Sequence, residues 1–333
     1  MHLDPPFRQD TFTSVQNYSQ YNRVKALLPA SYRDNNEILI YPDTDLTNVL
    51  QRELNVDRLN QVQKYLWLAG RPMPPRPLHY QVSISRDIVI DERMDLHLVW
   101  EMPGRIYLKP IPRYLLDYEF WKHLCRSVNM SMKSRDESEE RQVELHKLGV
   151  GFLFSYAALI QYESDFQLAC EHHLLPPDIT WLEWVEFIHE LLTKINYEEI
   201  NPRYLFGELR LSRLNKIYAL RLGYVLRGYK FSYHTYGQLF SDYLAPITAA
   251  TIYVALVLTA MQVGLATDSL NGNQAFQNVS KGFTVFAILA PIVLLALVFV
   301  LGLLHFVSNL FKTLSFKRKR LAQVSRRANG SLG

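Results

Sequence analysis

This sequence has few cysteines and no familiar catalytic motif. It also has two long segments without charged side chains. Among 333 residues only Cys125 and Cys170 are cysteine, which excludes a disulfide framework and favours the reducing cytosol. The opening residues MHLDPPFRQD contain no apolar core, so we expect no signal peptide. No G-x-S-x-G elbow, phosphate-binding loop or H-E-x-x-H helix occurs, so we predict no catalytic site, metal or cofactor, and hence no enzyme.

Asp, Glu, Lys and Arg are missing from residues 243–267 and again from residues 282–311. Each segment is longer than the roughly 20 apolar residues that cross a bilayer core. A buried helix of a soluble protein is the alternative for either segment alone, but a soluble helix of this length usually has a polar face. The pair therefore predicts a C-terminal two-helix transmembrane hairpin at 242–311. The expected spans are about 243–266 and about 283–311, with a loop at 267–282.

Positive charge is concentrated in the tail, residues 312–333. The tail has seven lysines and arginines and no acid, whereas the net charge of the whole chain is +4. A basic cluster directly after a span indicates a cytosolic end in contact with anionic lipid headgroups, and its confinement to one segment argues against a nucleic-acid partner. Basic residues also precede the first span, so both termini of this integral membrane protein are predicted to be cytosolic. The candidate headgroup contacts are Lys317, Arg318, Lys319 and Arg320.

Small and hydroxyl-bearing residues occupy one face of the first predicted span, within about 80° of each other at the helical period of roughly 100° per residue. Such a stripe forms a seam where helices approach closely, or it lines a hydrated pore. The seam is the favoured use, and both uses are compatible with a homo-oligomer. The stripe consists of Thr248, Thr251, Ala255, Thr259 and Gln262.

The segment before the spans is predicted to be an α+β cytosolic domain, residues 36–241, preceded by a flexible polar arm, residues 1–35. Short alternating apolar stretches predict a small β meander with covering helices, and the second half of the domain is expected to be largely helical. Within it, the uncharged segment 148–162 is either a third span or a buried core helix, and its short length favours the core helix. The alternating stretches are 80–84, 88–90, 96–100 and 106–108.

Aromatic residues crowd the approach to the first span. They predict a belt at the membrane interface, with a packed cytosolic helix as the alternative. The belt residues are Tyr229, Phe231, Tyr233, Tyr236, Phe240 and Tyr243.

Two groups of polar side chains are candidates for chemistry. The sequence CEHH at 170–173 brings together metal-binding types, but consecutive side chains point apart, so the end of a surface helix is favoured over a metal site. Arg105, Lys109 and Arg113 are candidates for a phosphate or lipid-headgroup site. Their spacing mixes strand and loop, which favours solvated charges at a sheet edge instead.

Several stretches, among them RPLHYQ, GRIYLKPIPRYLL and FQNVSKGFTVFAILAP, resemble a family of uncharacterised proteins from filamentous fungi. The resemblance extends from about residue 28 to residue 311. It implies a domain of unknown function followed by two membrane spans, and it supplies no catalytic residues. Some members are labelled subtilisin-like proteases, but the Asp, His and Ser segments of that triad are not found here.

The architecture is also similar to that of CorA-type magnesium transporters, which have a large cytosolic domain, two C-terminal spans, a short external loop and a basic tail. In that family the first span ends in Gly-Met-Asn, whereas here it ends MQVGLATDSLNGN. The sequence therefore predicts a membrane-anchored cytosolic interaction domain. A CorA-like oligomeric cation channel is the alternative, and a membrane-tethered enzyme is a third, weaker interpretation.

Overall fold

The computed structural model describes residues 4–8, 11–12, 28–33, 39–40, 46–131, 137–222, 229–230 and 236–330. They belong to two units, residues 1–230 and residues 231–333. The first unit is a mixed α/β structure, rich in helix, with a small sheet. Its helices are α1 (Leu46–Glu53), α2 (Asp57–Asn60), α3 (Leu66–Ala69), α4 (Leu78–Ser83), α5 (Tyr118–Ser131), α6 (Glu137–Leu159), α7 (Glu163–Glu171), α8 (Trp181–Lys194) and α9 (Leu211–Leu222). Short 3-10 helices lie at Gln63–Tyr65, Met94–Leu96, Arg113–Leu116, Tyr197–Glu199 and Pro202–Leu205.

The strands of the first unit form two sheets. In the larger one, the central pair is antiparallel and each outer strand is parallel to its neighbour. The smaller sheet is a two-stranded antiparallel pair, β1 (Tyr32–Arg33) and β2 (Leu39–Ile40). The order in the larger sheet is β3 (Asp87–Ile90), β5 (Arg105–Leu108), β4 (Val99–Glu101) and β6 (Leu209–Arg210).

The predicted β meander is wrong, because the sheet is mixed and one of its predicted strands is a helix. Residues 80–84 end helix α4, whose buried Leu78 and Gln81 are three positions apart, as on one face of a helix. The alternating Val82 and Ile84 are 46% and 40% exposed, so they do not mark a buried sheet face. Parallel pairing with β6 joins segments about a hundred residues apart, which local alternation does not encode.

Helix α6 runs through the core of the first unit and contains residues 148–159 of the uncharged segment 148–162. Phe152, Tyr156 and Leu159 are fully buried, which supports the core-helix interpretation. Gly151 lies against Tyr204, since a Cβ added at this glycine would clash with the tyrosine ring. The absence of charge over residues 148–159, the last part of this helix, therefore reflects burial on all sides by protein.

The predicted flexible arm is wrong in the part that the structure describes. Phe7 and Phe12 are 1% and 2% exposed. Their ring centroids lie 5.4 and 5.2 Å from that of Phe187 on α8. Two aromatic side chains in an otherwise polar segment thus join the core through long-range packing, which periodicity along the chain does not reveal.

The second unit consists of α10 (Tyr236–Leu265), the short α11 (Asp268–Asn271) and α12 (Gln274–Gly330). Helices α10 and α12 pack against each other. Gly264 allows a close approach, because a Cβ at this position would lie 3.0 Å from the ring of Phe276. The segments Ile247–Leu265 and Gln274–Leu304 are both long and apolar enough to cross a membrane.

Helix α12 extends beyond the predicted second span at both ends. It begins at Gln274 because the Asn273 side chain accepts hydrogen bonds from the backbone N–H groups of Ala275 and Phe276, at 3.0 and 3.2 Å. The predicted loop is therefore shorter, and its second half is helical. At the other end, α12 continues to Gly330, so the predicted basic tail is part of the same helix.

Candidate functional site

A cavity of about 460 Å³ in the first unit, here called the arginine pocket, is the strongest candidate for a binding site. Five arginines and a single carboxylate line it, together with three large aromatic side chains. Its charged residues therefore carry a surplus of positive charge. They are Arg71, Arg76, Arg86, Arg210, Arg213 and Glu208, and the aromatic residues are Trp67, Tyr80 and Trp100.

Two glycines allow the walls of the arginine pocket to come together. A Cβ at Gly70 would lie 2.7 Å from the carbonyl oxygen of Glu208, and one at Gly207 would lie 2.8 Å from that of Met73. The Gly207 N–H donates to the carbonyl oxygen of Arg71 at 3.3 Å. The chain after α3 is thereby held against the chain that enters β6, and both segments supply arginines to one cavity.

Glu208 is neutralised within the pocket and organises its neighbours. Its carboxylate accepts hydrogen bonds from the backbone and guanidinium of Arg76 at 2.9 to 3.2 Å, and from Gln81 Nε2 at 2.7 Å. Burial alone would raise the pKa of Glu208. The hydrogen bonds from Arg76 and Gln81 have the larger, opposite effect, so the pKa of this carboxyl group lies below its usual value. Arg76 holds Glu208 with its hydrogen bonds, and Arg86 Nη1 lies 4.0 Å from the same carboxylate. One carboxylate therefore faces five arginines, which leaves the pocket lining with a surplus of positive charge.

Two of those guanidinium groups lie close to one indole ring. The Cζ atoms of Arg86 and Arg210 are 4.2 and 5.1 Å from the ring centroid of Trp100. Arg86 is 8% exposed, and burial and the charge of Arg76 lower its pKa. The Nε atom of Arg210 is buried and has no hydrogen-bond partner among the residues that the structure describes. A buried donor without a partner costs free energy, so this arrangement is suited to holding an anion.

The family model of DUF6601, a family of unknown function, matches residues 46–291. The chain belongs to this family. No curated protein and no solved structure matches it. The matched region contains every residue of the arginine pocket. Membership in a family of unknown function, predicted from the sequence, is confirmed.

Of the three basic residues predicted as a phosphate site or as solvated edge charges, Arg105 is exposed on β5 in this DUF6601 protein, whereas Lys109 and Arg113 form ion pairs. The Lys109 ammonium is fully buried and pairs with Glu53 at 2.8 Å and Glu92 at 3.2 Å. Arg113 pairs with Asp178 at 2.7 Å, which lowers the pKa of that carboxyl group. The lysine is therefore a buried structural charge, and no shared site exists for the three predicted residues. The sequence missed the arginine pocket because its residues are spread from position 67 to position 213.

The buried side chains of His97 and Ser155 are hydrogen-bonded to each other, but the histidine is the donor, so it cannot take the proton of the serine hydroxyl. His97 Nδ1 accepts the backbone N–H of Lys109 at 3.2 Å, so its proton lies on Nε2, which donates to Ser155 Oγ at 2.9 Å. The serine hydroxyl donates in turn to the Phe152 carbonyl at 2.6 Å. Burial, with Arg203 and Lys109 nearby, lowers the pKa of His97 well below its usual value. A general base would have to accept the serine proton, so the pair is structural as arranged.

The residues predicted as a possible metal site and as an aromatic belt do not form those sites where the structure describes them. Cys170 and Glu171 end helix α7, and His173 has a φ of 53°, as expected for a helix end. Within the described parts of the chain, no three His, Cys, Asp or Glu side chains are grouped so as to hold a metal ion. Tyr229 is buried and donates to the Asp95 carbonyl, so this member of the predicted aromatic belt is a core residue of the first unit. The side chains of the remaining belt residues lie outside the described part.

The predicted stripe on the first span is exposed along α10. The hydroxyls of Thr251 and Thr259 donate to the carbonyls of Ile247 and Ala255, four residues earlier, at 2.8 and 2.9 Å. The half-buried positions of the helix are apolar ones such as Leu258. Within one chain, the stripe is therefore not the contact between α10 and α12. A seam between copies or a pore stays a prediction for Thr248, Thr251, Ala255, Thr259 and Gln262.

The predicted headgroup contacts lie on the last part of α12. Lys317 and Arg318 are exposed there, while the side chains of Lys319 and Arg320 lie outside the described residues. Their contact with lipid stays a prediction.

His146 on α6 predicts a pH-dependent stability of the first unit. The residue is 2% exposed, and burial lowers its pKa from 6.5 to about 4. As the pH falls below 6.5, His146 becomes protonated in the unfolded chain but stays neutral in the folded chain until about pH 4. Proton binding therefore favours the unfolded chain between these two pH values. From roughly pH 7.5 to pH 5, the free energy of unfolding should fall by about 2 kcal/mol because of His146.

The measurement is urea unfolding of the full chain in a neutral detergent, followed by tryptophan fluorescence. All five tryptophans lie in the first unit, so the signal reports on it alone. His146→Phe should reduce the fall in stability with pH by about 2 kcal/mol, because it removes one of two buried imidazoles whose pKa is lowered, while His97 remains. Changing the exposed His189 to Gln should leave the fall as in the wild type. An unchanged pH dependence in His146→Phe contradicts the prediction.

Proposed function

We propose that this DUF6601 protein is an integral membrane protein in which α10 and α12 form a two-span hairpin that anchors a cytosolic interaction domain. The observation that carries this proposal is the exposed apolar surface of both helices. Leu256 on α10 and Phe299 on α12, for example, are 65% and 64% exposed. Soluble proteins rarely expose so large a continuous apolar surface to water, whereas the hydrocarbon core of a bilayer covers such a surface.

The charge distribution supports an orientation with both ends in the cytosol. Between residues 243 and 311 the only charged side chains are Asp268 and Lys281, both near the turn between the helices. Basic residues, by contrast, precede α10 and fill the end of α12, as the positive-inside rule requires for cytosolic segments. Lys317 and Arg318 are exposed, and we expect them to contact anionic headgroups.

We propose an interaction role rather than a catalytic one, because the buried polar groups that resemble catalytic residues are engaged structurally. His97 donates to Ser155, and Lys109 is held between carboxylates. Ion conduction is not part of the proposal. The Gly-Met-Asn sequence of CorA-type proteins is missing, and no solved structure matches the chain.

Substituted cysteines test the topology. In a chain with Cys125→Ala and Cys170→Ser, Gly272→Cys places a thiol in the proposed non-cytosolic turn, where an added Cβ has no atom within 4 Å. The matched control is Leu220→Cys on α9, at a position that is 84% exposed in the proposed cytosolic domain. In sealed vesicles with the cytosolic face outward, a membrane-impermeant maleimide should label the control directly.

Gly272→Cys should react only after the vesicles are permeabilised. Equal labelling of both thiols in sealed vesicles would place the turn on the cytosolic side and overturn the hairpin. Release of the chain from the membrane by alkaline carbonate would overturn membrane integration itself.

A further inference from the structure

We propose that the arginine pocket binds a phosphate monoester, with Arg86 and Arg210 as the central contacts and Arg71 and Arg213 at the rim. The number of available guanidinium groups argues for this anion. One guanidinium is enough to pair with a carboxylate through two hydrogen bonds, as Arg76 does with Glu208. Four further arginines line the same cavity, of which Arg86 also lies 4.0 Å from Glu208. Five guanidinium groups around one carboxylate leave a surplus of positive charge, which matches a group with three acceptor oxygens and close to two negative charges.

The donors are positioned before a ligand arrives. Gln81 has no exposed surface, and its amide donates to Glu208 and to the carbonyl of Arg76. Its oxygen accepts from Arg86 Nη1 at 2.6 Å, which orients that guanidinium while its other N–H groups remain to be used. Arg210 adds a buried Nε–H that lacks a partner in the described residues. Little side-chain entropy is therefore lost when an anion binds.

The cavity is larger than a phosphate group needs, so the ligand carries an organic part. Trp67 lies at the rim and is 62% exposed, although a tryptophan of this size is usually mostly buried. Together with Tyr80 it gives the bound molecule an apolar surface next to the arginines. A soluble phosphorylated metabolite and a lipid with a terminal phosphate present the same chemistry to these residues.

Two matched probes separate these two sources. Glycerol 3-phosphate is a soluble monoester, and phosphatidic acid presents the same glycerol phosphate in a bilayer. The first probe is titrated into the full chain in neutral detergent, with glycerol as the uncharged control and acetate as the carboxylate control. For the second, the full chain is placed in nanodiscs with and without phosphatidic acid. Tryptophan fluorescence is the readout, because Trp67 and Trp100 line the pocket.

Arg210→Gln should weaken binding by about tenfold or more, since it removes a charge-assisted contact. The exposed rim variant Arg71→Gln should weaken it several-fold and tests the proposal even if Arg210→Gln disturbs folding. Arg105→Gln is the matched control, because Arg105 is exposed on β5 and does not line the pocket. Arg105→Gln should leave the affinity for the monoester unchanged. It therefore shows how much of the binding comes from nonspecific attraction of the anion to a positively charged chain.

Binding of glycerol 3-phosphate identifies a soluble ligand class, and a response to phosphatidic acid alone identifies a lipid. The proposal is overturned if neither probe binds at millimolar concentration. It is equally overturned if acetate binds as well as the monoester, or if Arg105→Gln weakens binding as much as the pocket variants do. These outcomes are independent of the topology test, because a chain with either orientation retains the pocket.

Discussion

Arg203→Met should lower the free energy of unfolding of the first unit by about 3 kcal/mol. The Arg203 side chain is buried, and its guanidinium donates to the carbonyls of Phe206 and Gly207 at 2.8 and 3.3 Å and to that of His97 at 2.9 Å. Methionine fills a similar volume but leaves these carbonyls without their donor, at roughly 1–3 kcal/mol for each one that water does not reach.

The expected loss is smaller than the sum of three broken hydrogen bonds. Burial lowers the pKa of Arg203 to about 10, which shows that holding this charge inside the unit is itself unfavourable. Methionine recovers part of that free energy. Urea unfolding of the full chain in detergent, followed by tryptophan fluorescence, measures the difference.

Arg105→Met is the control, because that arginine is exposed and its replacement should change stability by no more than about 0.5 kcal/mol. The bonds of Arg203 join the segment before β6 to the chain entering β4. A loss below about 1 kcal/mol in Arg203→Met would contradict the structural role given to these bonds.

Asp165→Ala is the second change with a large expected effect, also about 3 kcal/mol. Asp165 is fully buried, and one of its oxygens accepts from the backbone and ring nitrogens of His79 at 2.7 and 2.9 Å. The other accepts the N–H groups of Gln161 and Tyr162 at 3.2 and 3.1 Å. Alanine leaves the backbone donors at the start of α7 without an acceptor, and it removes the hydrogen bonds that join His79 of α4 to α7.

Asp165→Asn should lose about half as much stability, because its amide keeps one acceptor oxygen. Glu163→Ala, at an exposed position in the first turn of the same helix, is the matched control and should cost no more than about 0.5 kcal/mol. Thermal unfolding of the full chain, again read by tryptophan fluorescence, orders the three variants. The prediction fails if Glu163→Ala is as unstable as Asp165→Ala.

Features that depend on one continuous segment can be predicted from the order of residues alone. Two long charge-free runs lie largely within α10 and α12. A threonine and a glutamate three residues apart can form a capping box, and Thr180 and Glu183 begin helix α8 in this way. The uncharged segment 148–162 was assigned to the core by its length. Membership in DUF6601 likewise follows from the sequence. In each case the signal lies in the type and order of neighbouring residues.

The positions of charges and isolated side chains, by contrast, depend on contacts between segments that are distant in the chain. Lys109 resembles a solvated edge charge in sequence, yet two carboxylates from other segments bury it. Phe7 and Phe12 join the core through Phe187, far away in the chain. The arginine pocket arises because two glycines let the segment after α3 approach the one that enters β6. Contacts between distant segments depend on how the whole chain packs, and residue order carries no direct record of that packing.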